Sequence, residues 1–73
     1  MTLSKYEVKE RLGHGSVRQL ARSLGLSEGH VSQVLNERRT DRRVAVAVAR
    51  RLRVKLVDLP SRYHTEVPAV SAA

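Results

Sequence analysis

The feature that most constrains this chain is the stretch of residues 17–36, which predicts two short helices joined by a tight turn. Leu20, Ala21 and Leu24 share one face of the first helix. Gly25 follows them, and glycine ends a helix readily because it adopts a left-handed conformation without a Cβ clash. The chain is therefore expected to turn at Gly25 and to begin a second helix soon afterwards.

The second predicted helix begins after Ser27, whose hydroxyl can cap the exposed N–H groups of the first turn. Val31, Val34 and Leu35 then form an apolar stripe at helical spacing. The small side chain of Ala21 allows the two helices to cross closely. Together with the apolar residues, this spacing predicts a helix-turn-helix motif.

Length and composition limit what surrounds this motif. The chain has 73 residues, two Tyr, no Phe, no Trp and no Cys. One small core of Leu, Val and Ala is therefore expected, without disulfides, thiolate metal sites or cysteine nucleophiles. No apolar run approaches the roughly 20 residues that span a bilayer, and the N-terminus lacks a signal-peptide pattern. The chain is therefore not expected to enter a membrane.

An N-terminal helix and two further segments complete the predicted fold. Ser4 and Glu7 match a capping box ahead of the first helix, and Ser16 is expected to cap the next. Residues 42–52 alternate Val and Ala, which suits a strand, but they also match i, i+3, i+4 spacing and define no polar strand face. We interpret them as a helix, capped by Thr40 or Asp41.

The C-terminal part is divided at Pro60. A short amphipathic segment, one or two helical turns, precedes it, and residues 61–73 lack periodicity and carry a second proline. We therefore predict an all-α bundle of four to five short helices over residues 1–60, followed by a flexible tail over residues 61–73. Residues 67–70 of that tail could order on a protein partner, or they could simply be a frayed terminus.

Charge indicates the kind of partner. Fourteen Lys and Arg against seven Asp and Glu give a net charge of +7, and arginine outnumbers lysine. Such a balance predicts a polyanion partner, either nucleic acid, an anionic membrane or an acidic protein. Arginine also suits bidentate contacts with phosphate and guanine.

Residues 31–39, Val-Ser-Gln-Val-Leu-Asn-Glu-Arg-Arg, resemble the Cro and lambda-repressor class of helix-turn-helix proteins, and so does the closing segment 51–59. Residues 42–49 look like the shorter phage regulators of the Ner-like type. The resemblance covers about residues 8–59. It implies an all-α bundle that binds double-stranded DNA, commonly as a homodimer on a pseudo-palindrome. One departure is Val17, which stands where the class often carries a phosphate-contacting Gln.

The resemblance also implies which side chains would meet DNA. In this class the second motif helix lies in the major groove with its N-terminal half toward base edges. Gln33 can pair with adenine and Glu28 can accept from cytosine, although Glu28 also suits a helix N-terminus. The predicted base-contacting residues are Ser27, Glu28, Gly29, Ser32 and Gln33. His30 is expected to face solvent or a phosphate.

Basic and amide side chains around this helix are the candidates for phosphate contacts, which fix register without reading sequence. The predicted set is Arg18, Arg22, Asn36, Arg38, Arg39, Arg42 and Arg43. We expect DNA contact or a solvated face equally for Arg50, Arg51 and Arg53. A dimer surface is expected on the last short helix, at Val54, Leu56, Val57 and Leu59.

The sequence thus predicts a DNA-binding transcriptional regulator, a repressor of phage or mobile-element type that occupies a promoter. An enzyme is not expected because the histidines are scattered and no nucleophile lies beside a base. No catalytic residue, metal site or cofactor is predicted. The alternatives are an antitoxin-like or co-regulatory interaction module and a non-specific DNA-packaging protein. The expected location is the cytoplasm of a bacterial or phage-infected cell, at the nucleoid.

Overall fold

A computed structural model describes residues 2–13 and 15–65 and confirms the predicted all-α class. Four α-helices follow one another: α1 (Lys5–Leu12), α2 (Ser16–Leu24), α3 (Glu28–Leu35) and α4 (Arg42–Leu52). Two short 3₁₀ helices follow, η1 (Leu56–Asp58) and η2 (Ser61–Tyr63). No strand occurs within these described residues. None of their helices has the length and apolar character needed to cross a bilayer.

The predicted turn between α2 and α3 forms at Gly25. This residue has φ +70° and ψ 31°, the left-handed conformation that glycine adopts at low cost. The N–H of Leu26 donates to the carbonyl of Ala21 at 2.8 Å. One carbonyl that the end of α2 would otherwise leave without a partner is therefore hydrogen-bonded within the turn. Ala21 and Val31 are both buried where the helices meet. The two helices and the turn expected from the spacing are present.

Helix caps agree with the sequence prediction in three cases and differ in one. Ser4 forms a full capping box with Glu7, Ser27 accepts from the N–H of His30, and Asp41 caps α4. The prediction that Ser16 caps α2 is wrong, because Gly15 occupies the cap in a left-handed conformation. Ser16 lies in the first turn instead, where its hydroxyl donates to the carbonyl of Leu12. That bond makes Ser16 a link between α1 and α2.

The segment that alternates Val and Ala is helical, as interpreted, and it forms one wall of the core. Val44, Ala45 and Val48 of α4 are fully buried, because i, i+1 and i+4 share one face of a helix. The helix contacts α1, α2 and α3. Buried residues from the whole fold meet there: Leu3, Val8, Leu20, Ala21, Val31, Val34, Leu35, Val44, Ala45, Val48, Ala49, Leu59 and Tyr63.

The predicted boundary at residue 60 is wrong, because residues 61–65 belong to the packed domain. Tyr63 is 0% exposed and its hydroxyl donates to the carbonyl of Leu35 at 2.7 Å. The N–H of Asp41 donates to the carbonyl of Tyr63, and the Thr40 hydroxyl donates to the carbonyl of Arg62. Residues 66–73, including the predicted partner segment 67–70, lie outside the described residues.

Candidate functional site

The polar side of α3 is the surface on which the predicted base-contacting residues lie. Val31, Val34 and Leu35 face the core, so the opposite side of the helix faces solvent. Four of the five predicted residues are exposed, and we call these the outer face of α3: Ser27, Glu28, Gly29 and Gln33. A Cβ built on Gly29 meets no atom within 4 Å, so the backbone there is open to an approaching ligand.

Ser32, the fifth predicted base-contacting residue, differs from the others in its surroundings. It is half-buried and lines a crevice of about 220 Å³ together with Leu12 and Val17. Its hydroxyl also lies 3.4 Å from the side-chain amide of Asn36, which donates to it. Ser32 therefore sits at the edge of the outer face, turned toward α1 and α2.

On the α2 side, two predicted phosphate-contacting arginines flank the start of α3. Arg18 Nε lies 3.6 Å from a carboxylate oxygen of Glu28, and both side chains are mostly exposed. Arg22 lines an open cleft with Ser27 and Glu28, about 510 Å³ in volume. The cleft therefore combines hydroxyl, carboxylate and guanidinium groups at the N-terminus of α3.

On the α1 side, Asn36 is engaged within the protein. Its amide donates to the carbonyl of Ser32 at 2.9 Å, and its oxygen accepts a hydrogen bond from the Lys9 ammonium. The predicted phosphate contact by Asn36 is thus accompanied by a cation that the sequence did not indicate. Lys9 is exposed and lies 27 residues away in sequence. Only the packing of α1 on α3 brings it there.

On the α4 side, four side chains form a continuous polar network. His30 Nε2 lies 2.7 Å from Asp41 Oδ2, and Arg39 Nη1 lies 3.0 Å from His30 Nδ1. Arg43 donates to both Asp41 oxygens, from Nε at 3.1 Å and from Nη2 at 2.9 Å. The network joins α3, the loop after it and the first turn of α4. His30 therefore faces the α3–α4 loop rather than open solvent, since its side chain is only 19% exposed.

Electrostatics within this network favour the ionised carboxylate. The Arg43 guanidinium holds the pKa of Asp41 well below its usual range, burial opposes this shift, and the hydrogen bond from His30 adds to it. Asp41 in turn raises the pKa of Arg43. The carboxylate is therefore charged at all physiological pH values and acts as an acceptor only.

The remaining predicted residues, Arg38 and Arg42, are exposed at either end of the α3–α4 loop. Arg51, which the sequence left open, donates a hydrogen bond to Gln19 and so connects α4 to α2. In the part of the chain that the structure describes, no three His, Cys, Asp or Glu side chains gather as a metal site would need. What the structure brings together is a polar helix face with cations on three sides.

No protein-family model, curated protein or solved structure matches this chain. The geometry and charge of the surface around α3 are therefore the basis for assigning a function.

Proposed function

We propose that this protein is a transcriptional regulator that binds double-stranded DNA sequence-specifically through the outer face of α3. The observation that carries the proposal is the arrangement around α3. Gln33 and Gly29 lie on an exposed polar surface, and arginines flank that surface on the α2 side and on the loop side. A helix of this kind fits the major groove while flanking cations bind phosphates.

The charge distribution supports a polyanion as the partner. The chain carries +7, and two acidic side chains near α3 are already compensated by arginines. Glu28 lies beside Arg18, and Asp41 is bound by Arg43. Phosphates approaching the outer face would therefore meet few uncompensated carboxylates, and the attraction would weaken with salt through counterion release.

Different roles follow for the side chains on this surface. Gln33 would read adenine through its amide, and Glu28 would accept from cytosine when it leaves Arg18. Arg22, Arg38 and Arg42 would bind phosphates and fix the register. Repression would follow from occupying a promoter as a homodimer, in the cytoplasm and at the nucleoid of a bacterial or phage-infected cell.

Selection of bound duplexes from a randomised pool at physiological salt is the first test. We expect recovery of two inverted half-sites about one helical turn apart. Flat enrichment with steep salt dependence would reject sequence-specific regulation in favour of non-specific DNA packaging. No enrichment and no binding at low salt would reject DNA as the partner and favour a protein-interaction module.

Two substitutions then distinguish base recognition from electrostatic attraction to the phosphates. Gln33→Ala should cost about 1–3 kcal/mol on the selected site and relax preference at one position. Arg22→Ala should weaken all sequences alike and reduce the salt slope by about 1. Lys55→Ala removes the same charge from the segment that follows α4 and serves as the matched control. Equal effects of Arg22→Ala and Lys55→Ala would indicate that net charge alone determines binding.

A further inference from the structure

The polar network on the α4 side of α3, which we call the His30 network, consists of His30, Asp41, Arg39 and Arg43. We infer that His30 is a positioning residue for DNA binding, whose neutral imidazole holds Arg39 in place beside the outer face of α3. The inference rests on the proposed function, since it concerns how a predicted phosphate contact is oriented. Its structural evidence is the position of the ring between two partners: Arg39 Nη1 is 3.0 Å from His30 Nδ1, and His30 Nε2 is 2.7 Å from Asp41 Oδ2.

The partners of the ring determine its protonation state. A guanidinium can only donate hydrogen bonds, so Nδ1 must accept from Arg39 and cannot carry a proton. Asp41 is an ionised carboxylate that only accepts, so Nε2 must carry the proton and donate it. The bound ring is therefore neutral, protonated at Nε2, with one donor and one acceptor both used.

Asp41 makes the other end of the network rigid. Oδ1 accepts from the backbone N–H and Nε of Arg43 at 2.9 and 3.1 Å, and Oδ2 accepts from Arg43 Nη2 and His30. Four donors use the full acceptor capacity of a carboxylate. Because Asp41 also caps α4, the imidazole is hydrogen-bonded to a side chain that is itself bound to the start of that helix.

The position of His30 explains why this matters for the outer face. His30 lies three residues before Gln33, so the two side chains are neighbours on α3. A guanidinium bound to the ring is held next to the side chain that precedes Gln33 by about one helical turn, and it keeps most of its N–H donors for a phosphate. Holding it there before binding reduces the conformational entropy that Arg39 would otherwise lose on the DNA.

Loss of the acceptor at Nδ1 would break this arrangement, because the guanidinium of Arg39 would have no partner on the ring. The charged groups on other elements packed against α3 have separate partners. Arg18 lies beside Glu28, Lys9 donates to Asn36, and Arg62 donates to the carbonyl of Glu37. A substitution that removes the acceptor at Nδ1 should therefore release Arg39 and weaken DNA binding.

A double-mutant cycle on the selected duplex tests the inference. Arg39→Ala should lower affinity about tenfold and reduce the salt slope by about 0.9 in the wild-type background. In a His30→Ala background the same substitution should cost less affinity, because an Arg39 that is not held loses more conformational entropy when it binds a phosphate. Arg38→Ala is the matched control, and its effect should be the same in both backgrounds.

His30→Gln keeps one donor and one acceptor without titrating, and it covers the case in which His30→Ala fails to fold. It should retain most of the affinity and preserve the effect of Arg39→Ala, whereas His64→Gln should change neither. If the wild type binds and Arg39→Ala acts equally in both backgrounds, the positioning role is wrong and the proposed function stands. If the wild type binds no duplex, both are wrong.

Discussion

Tyr63 connects the η2 turn to α3 through one buried hydroxyl. The ring is 0% exposed, and the hydroxyl donates to the carbonyl of Leu35 at the end of α3. Burial, and to a smaller extent the negative charge of Glu37, raises the pKa of Tyr63. The folded state therefore holds the phenolic proton more tightly than the unfolded chain does.

The sign of the resulting pH dependence follows from linkage. A group whose pKa is raised on folding contributes stability that is present below its unfolded pKa, about 10 for tyrosine, and is lost as pH rises further. We expect the free energy of unfolding to decline above about pH 10. In a Tyr6→Phe background Tyr63 is the one tyrosine left, so tyrosinate absorbance reports its ionisation directly.

Tyr63→Phe separates the hydroxyl from the ring. It should lower the free energy of unfolding by about 1 kcal/mol at neutral pH, because the Leu35 carbonyl loses a donor. It should also remove the part of the alkaline decline due to Tyr63, as measured by urea unfolding at several pH values. Ionisation of Tyr63 near pH 10 without loss of stability would contradict a buried, hydrogen-bonded phenol.

At the scale of elements, sequence periodicity and caps predict which segments are helical. Residues 42–52 show this best: their alternation suits a strand, but the i, i+4 apolar spacing matches the face that is buried. Errors arise where local signals compete. Ser16 looks like a cap, but Gly15 beside it reaches a left-handed conformation that serine reaches less easily.

Long-range contacts around the site cannot be predicted in the same way. His30 and Asp41 are 11 residues apart, Lys9 and Asn36 are 27 apart, and Tyr63 and Leu35 are 28 apart. Periodicity describes one element at a time, whereas these pairs depend on how elements pack. The residues of the outer face are predictable because they belong to one helix and its cap.

Two glycines of the helix-turn-helix should respond oppositely to alanine. Gly25 has φ +70°, so Gly25→Ala should destabilise the fold by about 1 kcal/mol, although no atom blocks the new Cβ. Gly29 lies within α3, where alanine is the better helix former, so Gly29→Ala should stabilise by up to about 1 kcal/mol. Thermal or urea unfolding measures both changes.

The same pair tests whether α3 comes close to DNA at Gly29. If its backbone approaches the bases, Gly29→Ala should weaken binding while raising stability, a combination that damage to the fold cannot produce. Gly25→Ala should affect binding only through the folded fraction. Unchanged affinity for Gly29→Ala would place the contact surface farther along α3, toward Gln33.

At the scale of the whole molecule, one chain has a single α3, so under the proposed function it offers one helix to the DNA. Major grooves on the same side of a duplex are about 34 Å apart. The described residues measure 39 × 28 × 17 Å, so two copies on successive turns are long enough to touch when their longest axes lie along the duplex. Dimer formation on DNA would then supply the affinity that one helix cannot.

The fold leaves only part of the predicted dimer surface exposed. Leu59 is 1% exposed and belongs to the core, and Val54 and Leu56 pack against that core. Val57, on η1, is 71% exposed, and Tyr6 of α1 is exposed to the same extent. Of the four predicted residues, Val57 is the one whose side chain is largely free to meet a second copy.

Val57→Glu therefore tests dimerisation without disturbing the core. If η1 forms the dimer contact, the variant should bind a duplex with two half-sites roughly 100-fold more weakly, because the avidity of linked binding is lost. Its affinity for a single half-site should be unchanged, apart from a small charge effect. Ser61→Glu adds the same charge at another exposed position and provides the baseline for that effect. Equal binding by Val57→Glu and Ser61→Glu would mean that the two copies meet on a different surface, or that each chain binds its half-site alone.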